Sequence, residues 1–584
     1  MKRVKGGGNG RGRKPSAKPL WTRPEGRHLL LLARCVLATV AYGYSSGALT
    51  AQATHEAPAS GSIAQTPSGR GPPKVTHDEL PVEPEAHRPQ HGAHRPQPEA
   101  HRPHPEAHRP QPEAHRPQPG AHRPQREEAL QQWLHHLHDT LLIPPGAVAV
   151  ALEPLDQPVR SAAVQATLPA LRWMHRADEA MHPASTIKLL TSLAALELLG
   201  PARRWHTEWR STALPRAGVL DGDLVMRGAG DPKFLIEDLR AVISALREAG
   251  LRELRGDLLL DGVLYDPAVT ETGPLDGDAL QPYNVAPMAA ELNFRATRLA
   301  WGTEAAVQAD PPLSGFRWVD RLAKPTGPCR DASVSFRLEG VRFARELLVE
   351  GRWPKACGRG ERHVALGDPE EFAEALFRAA WTAQGGVWVG SARRSDGAAA
   401  AAPHLLVRWE SRHNLVDVVH DVNKRSNNLL SRHLWLQLSA GDGQPATVRA
   451  STDRVVRWLD SHGVKLVSLR VDNGSGLSRL ERVSARDLNR ILRLALELPS
   501  ADLFRDSLPL AGVDGTMERR ITEQGFRGRL WLKTGSLQEV RALSGYVEAR
   551  SGNRYALSLM IQHPRVPAAR QAIDALLRII VAAG

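Results

Sequence analysis

The sequence predicts an α/β protein of the α+β type, in which helices flank an antiparallel sheet and one or two β-rich domains are inserted. Three strand-like apolar runs, separated by tight turns, occupy residues 529–532, 540–547 and 555–561. A helix with one apolar face follows at residues 567–583. Strands joined by tight turns pair antiparallel, and helices cover the apolar face of such a sheet.

The beginning of the globular body supports the same architecture. Residues 128–142 have apolar positions at helical spacing, and residues 147–152 form a strand candidate directly after two prolines and a glycine. The strands are therefore flanked by an N-terminal and a C-terminal helix. This arrangement favours one antiparallel sheet covered by helices.

The middle of the body predicts an insertion. Between Lys188 and Ser426 lie 237 residues, far more than a helix and its neighbouring loop require. Four strand-like runs with Gly- and Asp-rich turns lie in this segment: 223–227, 256–261, 333–338 and 347–351. We therefore expect a main domain formed by residues 127–206 and 400–584, with one or two β-rich domains inserted at 207–399.

The N-terminal segment predicts export. Residues 1–27 hold nine Lys/Arg and one Glu, so they carry +8 of the net charge of +13 and leave only +5 for the rest of the chain. The basic excess is thus a targeting feature, and no nucleic-acid partner is expected. An apolar run and small residues around 51–53 follow, typical of a signal peptide. Residues 1–53 are predicted to be an export signal or, alternatively, an uncleaved inner-membrane anchor, which places the body in the periplasm.

A linker rich in Pro, His and Arg is predicted at residues 54–126. The motif Ala-His-Arg-Pro occurs six times at a period of seven, beginning at Ala86. A proline in every unit removes a helix donor and clashes with the preceding turn, which excludes a coiled coil and favours an extended tether. The regular histidines could bind a metal loosely. A spacer is the preferred interpretation, and no metal site is assigned.

A short stretch before an apolar helix carries the first catalytic signal. Ser185 and Lys188 are three residues apart after Pro183, and the apolar run that follows ends at Gly200. This spacing puts both side chains on one helix face, within reach of each other. A serine hydroxyl becomes a good nucleophile when a base takes its proton, and a lysine kept neutral by burial is such a base.

Two later stretches complete the pattern. Ser426-Asn427-Asn428 reads S-x-N, and Lys533-Thr534-Gly535 lies between two strand-like runs. A fixed cation with hydrogen-bond donors at a strand edge suits a substrate that ends in a carboxylate. A hydroxyl between two lysines is suited to pass a proton.

The order S-x-x-K, S-x-N and K-T-G resembles serine penicillin-binding proteins and serine β-lactamases. Three further segments and the long insertion resemble the class C branch, the D-alanyl-D-alanine carboxypeptidases/endopeptidases, over about residues 127–584. These segments are Gly228–Pro232, Gly474–Arg479 and Gly512–Thr516. The resemblance implies a transpeptidase-like fold and a periplasmic serine hydrolase that acts on peptidoglycan peptides, needs no cofactor and is inhibited covalently by β-lactams.

The resemblance also implies a role for each motif residue. Ser185 attacks the carbonyl of the penultimate D-Ala, and Lys188 accepts the serine proton. Ser426 relays that proton to the leaving amine, and Asn428 holds Lys188 and the substrate amide. Lys533 supplies positive charge to Ser426 and to the substrate carboxylate.

Further residues are implied in substrate binding. The K-T-G edge contributes Thr534 as a donor and Gly535 as its last member, and the backbone N–H of Ser536 joins that of the nucleophile in an oxyanion hole. Arg479 and Gln538 match two positions that some members use to hold the diaminopimelate side chain of the stem peptide. The alternative interpretation is that these two residues are structural.

The cysteines predict a disulfide rather than a zinc site. Cys35 belongs to the export segment, which leaves Cys329 and Cys357 in the body. A pair 28 residues apart is readily bridged in an oxidising compartment. Two cysteines that lie far from a His cluster do not suggest zinc.

Two other functions remain open at this point. An esterase or β-lactamase on the same fold would differ by fast deacylation of penicillin. A non-catalytic cell-wall-binding protein would use the tether and the inserted domains. The complete set of five catalytic residues argues against that last function, because a decayed enzyme is expected to lose at least one of them.

Overall fold

The computed structural model describes residues 123–583 apart from 156–169, 271–272, 303–305 and 442. The predicted export segment and all but the last residues of the predicted linker lie outside the described residues. In the part of the chain that the structure covers, no helix is long and apolar enough to cross a membrane.

The described residues form helices and strands in alternating groups. The helices are α1 Arg123–Leu141, α2 Lys188–Leu199, α3 Ile236–Glu248, α4 Pro267–Thr270, α5 Pro369–Ala383, α6 Leu415–Lys424, α7 Asn428–Gln437, α8 Val448–Ser461, α9 Ala485–Glu497, α10 Ala501–Ser507 and α11 Arg570–Ala583. The strands of the first part are β1 Val148–Pro154, β2 Trp173–His175, β3 His206–Ser211, β4 Val219–Leu220, β5 Leu224–Arg227, β6 Glu253–Leu254, β7 Leu258–Asp261, β8 Ala296–Trp301, β9 Gln308–Asp310 and β10 Phe316–Ala323. Those of the second part are β11 Ser333–Val341, β12 Ala344–Arg352, β13 Gly360–Ala365, β14 Val387–Trp388, β15 Ala392–Arg394, β16 His404–Glu410, β17 Leu530–Leu537, β18 Val540–Glu548 and β19 Arg554–Gln562.

One five-stranded antiparallel sheet joins the two ends of the body, in the order β17-β18-β19-β1-β2. The pairing of β1 with β19 runs from Val148 opposite Ile561 to Pro154 opposite Tyr555. The predicted antiparallel sheet is therefore confirmed. Its edge strand β17 carries the Lys533-Thr534-Gly535 segment.

Helices cover both faces of this sheet, so its strands are buried on both sides. On β1, Val148 and Val150 contact a core formed with α1 and α11, whereas Ala149 and Ala151 contact a core formed with α2, α6, α7 and α9. Alternate strand residues point to opposite faces, so each face needs its own apolar layer. Helix α2, which begins at Lys188, lies in the second layer, against the face that carries the small alanines.

The inserted region contains helices as well as the predicted strands. Between β3 and β16 the described residues form four sheets, of which the largest has the order β15-β7-β5-β3-β16. Trp209 on this sheet stacks on Phe377 of α5, with ring centroids 5.9 Å apart. The strand-based expectation missed α3 and α5, whose apolar positions recur at helical rather than strand spacing.

Two turns of the inserted region are joined by a disulfide. Cys329 and Cys357 are bonded, with their Cα atoms 4.8 Å apart. Cys329 lies in the 3-10 turn Cys329–Asp331, and Cys357 lies in the 3-10 turn Lys355–Cys357.

The apolar core that α1 and α11 form with the five-stranded sheet can be tested by a substitution in α11. Leu576 is completely buried in the core that α11 and α1 share with the sheet. We expect Leu576→Ala to lower the free energy of unfolding by about 2–5 kcal/mol, because the substitution removes apolar contacts and leaves a cavity. Thermal and urea denaturation would measure the change. Gln571→Ala, at an exposed position of the same helix, is the control, and equal stability of the two variants would contradict this packing.

Candidate active site

The nucleophile candidate lies in a strained turn at the start of α2. Residues Ala184–Ile187 form a 3-10 turn that leads directly into the helix at Lys188. Ala184 has φ +44°, in the left-handed region that residues with a Cβ rarely occupy. Ser185 is half-buried, whereas Lys188 is fully buried because α2 packs inside the helical layer. The turn therefore exposes the serine and hides the lysine.

The Lys188 amine is surrounded by three oxygen atoms. Its Nζ lies 2.9 Å from Ser185 Oγ and 2.7 Å from Asn428 Oδ1, and it also contacts the backbone carbonyl of Ser475. The two carbonyl oxygens only accept hydrogen bonds, so they use both N–H bonds of a neutral amine. The remaining lone pair is then directed at Ser185. The geometry thus aims a base at the serine proton.

Burial makes the neutral amine available near neutral pH. Complete desolvation lowers the pKa of Lys188 to about 7, although the charge of Glu481 opposes this shift. Burial disfavours the charged form of a lysine, since an ammonium ion loses its hydration. A general base works best with a pKa near the operating pH, and this amine meets that condition.

The S-x-N segment lies between α6 and α7 and presents two polar side chains to the site. Asn427 caps α7 by accepting a hydrogen bond of 3.0 Å from the backbone N–H of Leu430. The adjacent Asn428 is then free to bond Lys188. Ser426 has φ +59° and accepts a hydrogen bond of 2.8 Å from Lys533 Nζ.

Lys533 is a second fully buried lysine in the same site. Its Nζ also donates to the carbonyl of Thr534 at 2.8 Å. Burial and, secondarily, the nearby charge of Lys188 hold its pKa well below the ordinary value. A charge on either lysine disfavours a charge on the other, because two like charges repel when they are buried close together.

Glycine is required where β17 meets the nucleophile. A Cβ atom on Gly535 would lie 2.9 Å from Ser185 N and 3.0 Å from both Pro183 O and the Ala184 side chain. The edge strand therefore approaches the Ser185 backbone more closely than any other residue type would allow. The neighbouring Ser536 is half-buried on the same strand, so both predicted oxyanion-hole residues lie beside this contact.

A second loop supports the K-T-G edge from outside. Thr516 lies 2.8 Å from Thr534, hydroxyl to hydroxyl. Asp514 of the same loop forms an ion pair of 2.6 Å with Lys424, at the end of α6. This loop thus ties the S-x-N segment to the strand edge, and it adds Thr516 to the polar groups at the cleft.

A third loop closes the site at Asn473–Ser478. A Cβ on Gly476 would overlap the Ala184 carbonyl at 1.9 Å, so the loop packs directly on the catalytic turn. The buried His182 bridges the two, because its Nδ1 accepts from Ala184 N at 3.0 Å and its Nε2 lies 2.8 Å from Ser478 O. Burial lowers the pKa of His182 to about 4, so the ring is neutral and donates from Nε2.

Three of the five predicted substrate-binding residues lie at the cleft, and the other two are exposed beside it. Thr534, Gly535 and Ser536 lie on β17 at the cleft. Arg479 and Gln538 are exposed, at the end of the third loop and at the turn after β17, and in the described part of the chain neither side chain bonds to the cluster. Both stay predictions as ligands for a substrate side chain.

Three residues to which the sequence assigned no role also belong to this site. Ser475 offers its carbonyl, His182 fixes the catalytic turn, and Glu481 accepts two backbone hydrogen bonds in the third loop. Ser475 lies within the Gly474–Arg479 segment, whereas only proximity to a motif marks His182 and Glu481 in the sequence, because their burial depends on contacts with distant segments. Among the described residues, no group of three or more His, Cys, Asp or Glu side chains could hold a metal ion.

Comparison with known proteins places this arrangement in a family. The model of the D-Ala-D-Ala carboxypeptidase 3 (S13) family matches residues 151–580. D-alanyl-D-alanine carboxypeptidase of Actinomadura sp. (strain R39) is 29% identical over 400 residues, which cover 64% of this chain and 72% of the relative. DacB of Haemophilus influenzae is 24% identical over 390 residues, covering 64% of this chain and 79% of the relative.

A solved structure shares the fold. Penicillin-binding protein 4 of Haemophilus influenzae aligns with a TM-score of 0.60 and 21% identity over 78% of this chain and 99% of the other. The predicted fold class, with its antiparallel sheet and β-rich insertion, is thereby confirmed.

The contact at Gly535 gives a test of the site geometry. We expect Gly535→Ala to slow labelling of Ser185 by a serine-directed fluorophosphonate about tenfold or more, because the added methyl pushes β17 away from the nucleophile. The labelling rate of the folded protein would measure the effect. Gly146→Ala, where a Cβ meets open space, is the matched control. An unchanged rate in folded Gly535→Ala would contradict the close approach.

Proposed function

The chain belongs to the D-Ala-D-Ala carboxypeptidase 3 (S13) family and is a serine peptidase, and we propose that Ser185 is its nucleophile, with Lys188 as the general base. One observation carries this assignment. The two N–H bonds of the neutral amine are taken by the Asn428 and Ser475 carbonyls, so its lone pair faces Ser185 Oγ at 2.9 Å. An amine held in this way removes the serine proton as the C–O bond forms.

The proposed reaction proceeds through an ester on Ser185. The serine oxygen attacks the carbonyl carbon of the penultimate D-Ala, and the proton passes to Lys188. Collapse of the tetrahedral intermediate breaks the peptide bond, and the leaving amine takes a proton through Ser426. Water then hydrolyses the ester, which releases the shortened peptide and regenerates the serine.

Substrate recognition is assigned to the edge of β17. Lys533 offers positive charge and Thr534 a hydroxyl, which together suit the terminal carboxylate of a D-Ala-D-Ala peptide. The backbone N–H groups of Ser185 and Ser536 are assigned to the oxyanion hole, which is typically worth about 10²–10³ in rate per donor. Arg479 and Gln538 are assigned to the stem-peptide side chain.

The proposed substrates are peptidoglycan peptides, and β-lactams are the proposed covalent inhibitors. The names of the relatives and a β-lactam complex of the Haemophilus influenzae protein support both. The basic and apolar N-terminal segment supports an exported, periplasmic location, and an uncleaved segment would also serve as an inner-membrane tether. Residues 127–206 and 400–584 are proposed as the catalytic domain, and the pairing of β16 with β3 supports extending the inserted region to about residue 410.

Penicillin labelling tests the nucleophile. We expect a fluorescent penicillin to form a stable adduct with the full-length protein and none with Ser185→Ala, because the ester needs the serine oxygen. Ser461→Ala, at an exposed position away from the site, is the matched control. An adduct in Ser185→Ala would refute the assignment. Rapid loss of penicillin without an adduct would indicate a β-lactamase, and neither adduct nor turnover would indicate a cell-wall-binding protein.

The pH dependence of acylation tests the base. We expect the acylation rate constant to rise between about pH 6 and about pH 8 with a midpoint near 7, because the pKa of Lys188 is about 7 and only the neutral amine accepts a proton. Lys188→Arg should lower the rate about 10²-fold or more, since a guanidinium stays charged. Stopped-flow or gel-based labelling would give the rates. A rate that is flat over this pH range would exclude Lys188 as the base.

A further inference from the structure

Glu481 is a fully buried carboxylate next to the catalytic cluster that the proposed reaction does not use. Its Oε1 accepts two backbone hydrogen bonds, from Asn473 N at 3.1 Å and from Gly474 N at 2.8 Å. Its Oε2 is also buried and has no hydrogen-bond partner among the described residues. A buried carboxylate that is only half satisfied is costly, so its presence calls for a function.

The turn that Glu481 holds is the one that contacts the general base. The N–H groups of Asn473 and Gly474 donate to Glu481, and the N–H of Ser475 donates to Asn473 Oδ1 at 3.0 Å. The carbonyls of Gly474 and Ser475 face α2 and α7. Gly474 O accepts from the Thr191 hydroxyl of α2 and the Ser431 hydroxyl of α7, each at 2.7 Å. The next carbonyl, that of Ser475, contacts Lys188 Nζ. Glu481 therefore fixes one of the two carbonyls that orient the Lys188 amine.

The charges around Glu481 come from three elements. Lys188 faces it from α2, Arg432 from α7, and Asp472 from its own loop. Burial raises the pKa of Glu481 to about 7, and the two backbone hydrogen bonds and Lys188 oppose this shift. Reciprocally, the Glu481 charge raises the pKa of Lys188 against the effect of burial. The two groups are electrostatically linked.

We propose that Glu481 is a positioning residue for Lys188: its carboxylate anchors the Asn473–Ser475 turn that orients the amine, and its buried negative charge acts on that amine across the same turn. The inference rests on the proposed function, which makes Lys188 the base. It divides into an anchoring effect, carried by Oε1, and a charge effect, carried by the whole carboxylate.

The position of the hydrogen bonds allows the two effects to be separated. Both backbone N–H groups bond to the same oxygen, so Glu481→Gln keeps them through its amide oxygen, removes the charge and puts an NH2 group in the place of Oε2. The same exchange of oxygen for NH2 occurs in the control variant below. Glu481→Asp keeps the charge but is one methylene shorter, so it releases the turn. Glu291→Gln is the matched control, because Glu291 is another buried carboxylate whose Oε2 has no hydrogen-bond partner among the described residues. The charges beside Glu291 are those of Arg295 and Arg432, whereas the Lys188 amine is affected by Glu481.

The experiment follows Lys188 by NMR and by acylation in the full-length protein. The titration midpoint of the Lys188 side chain is measured by NMR and does not require the protein to be catalytically active. The Lys188 signal is identified by its absence in Lys188→Arg. We expect the midpoint to fall by about half a pH unit or more in Glu481→Gln, because loss of a nearby anion disfavours the ammonium form. The acid limb of penicillin acylation should move to lower pH by the same amount. Glu481→Asp should keep the wild-type midpoint and acylate about tenfold more slowly.

Each outcome decides the question. Glu291→Gln should leave the midpoint and the rate unchanged. An unchanged midpoint in folded Glu481→Gln would refute the charge effect, and a wild-type rate in Glu481→Asp would refute the anchor. If Glu481→Gln does not fold, the aspartate variant still tests the anchor. If wild-type protein is not acylated although the midpoint shifts as expected, the proposed function fails while the link between Glu481 and Lys188 stands.

Discussion

The burial of the Lys188 amine is the constraint on which the rest of the site depends. An ammonium ion placed in a protein interior loses several kcal/mol of hydration, so the chain must either neutralise it or surround it with acceptors. This fold does both. Burial brings the pKa to about 7, and three oxygens from three separate segments stand around the nitrogen. A surface lysine with the same neighbours would stay charged and would not act as a base.

These segments meet through backbone with positive φ values and through close contacts that only glycine allows. Ala184 and Ser426 both have positive φ values, and each lies in a turn that presents a serine hydroxyl to one of the two buried lysines. Gly476 and Gly535 reach the Ala184–Ser185 peptide from two sides, at distances that exclude a side chain. Strain of this kind persists where the surrounding structure determines it, and the two-faced sheet with its helical layers supplies that support. Gly476 and Gly535 are therefore explained by close packing on the Ala184–Ser185 peptide, whereas a Cβ on Gly474 would meet the Trp435 side chain.

The sequence predicted the parts of the molecule that local pattern determines. The strands at the chain's end and the helix that follows them have clear apolar periodicity, and S-x-x-K places Ser185 and Lys188 together by helical spacing alone. Local pattern could not show that Asn428 contacts Lys188 from 240 residues away, because that contact depends on how the inserted region returns the chain. It also could not mark Glu481, since a glutamate in a polar loop looks solvent-exposed until the loop folds over α2.

The two lysines of the site suggest how substrate charge selects the reactive state. Lys188 and Lys533 are both fully buried, and the charge of Lys188 lowers the pKa of Lys533. In the proposed function, the substrate carboxylate arrives beside Lys533 and favours its ammonium form by Coulomb attraction. A positive charge at Lys533 in turn disfavours one at Lys188, since two buried like charges repel. On this assignment, binding of an anionic substrate would increase the fraction of molecules in which Lys188 is neutral and able to accept the Ser185 proton.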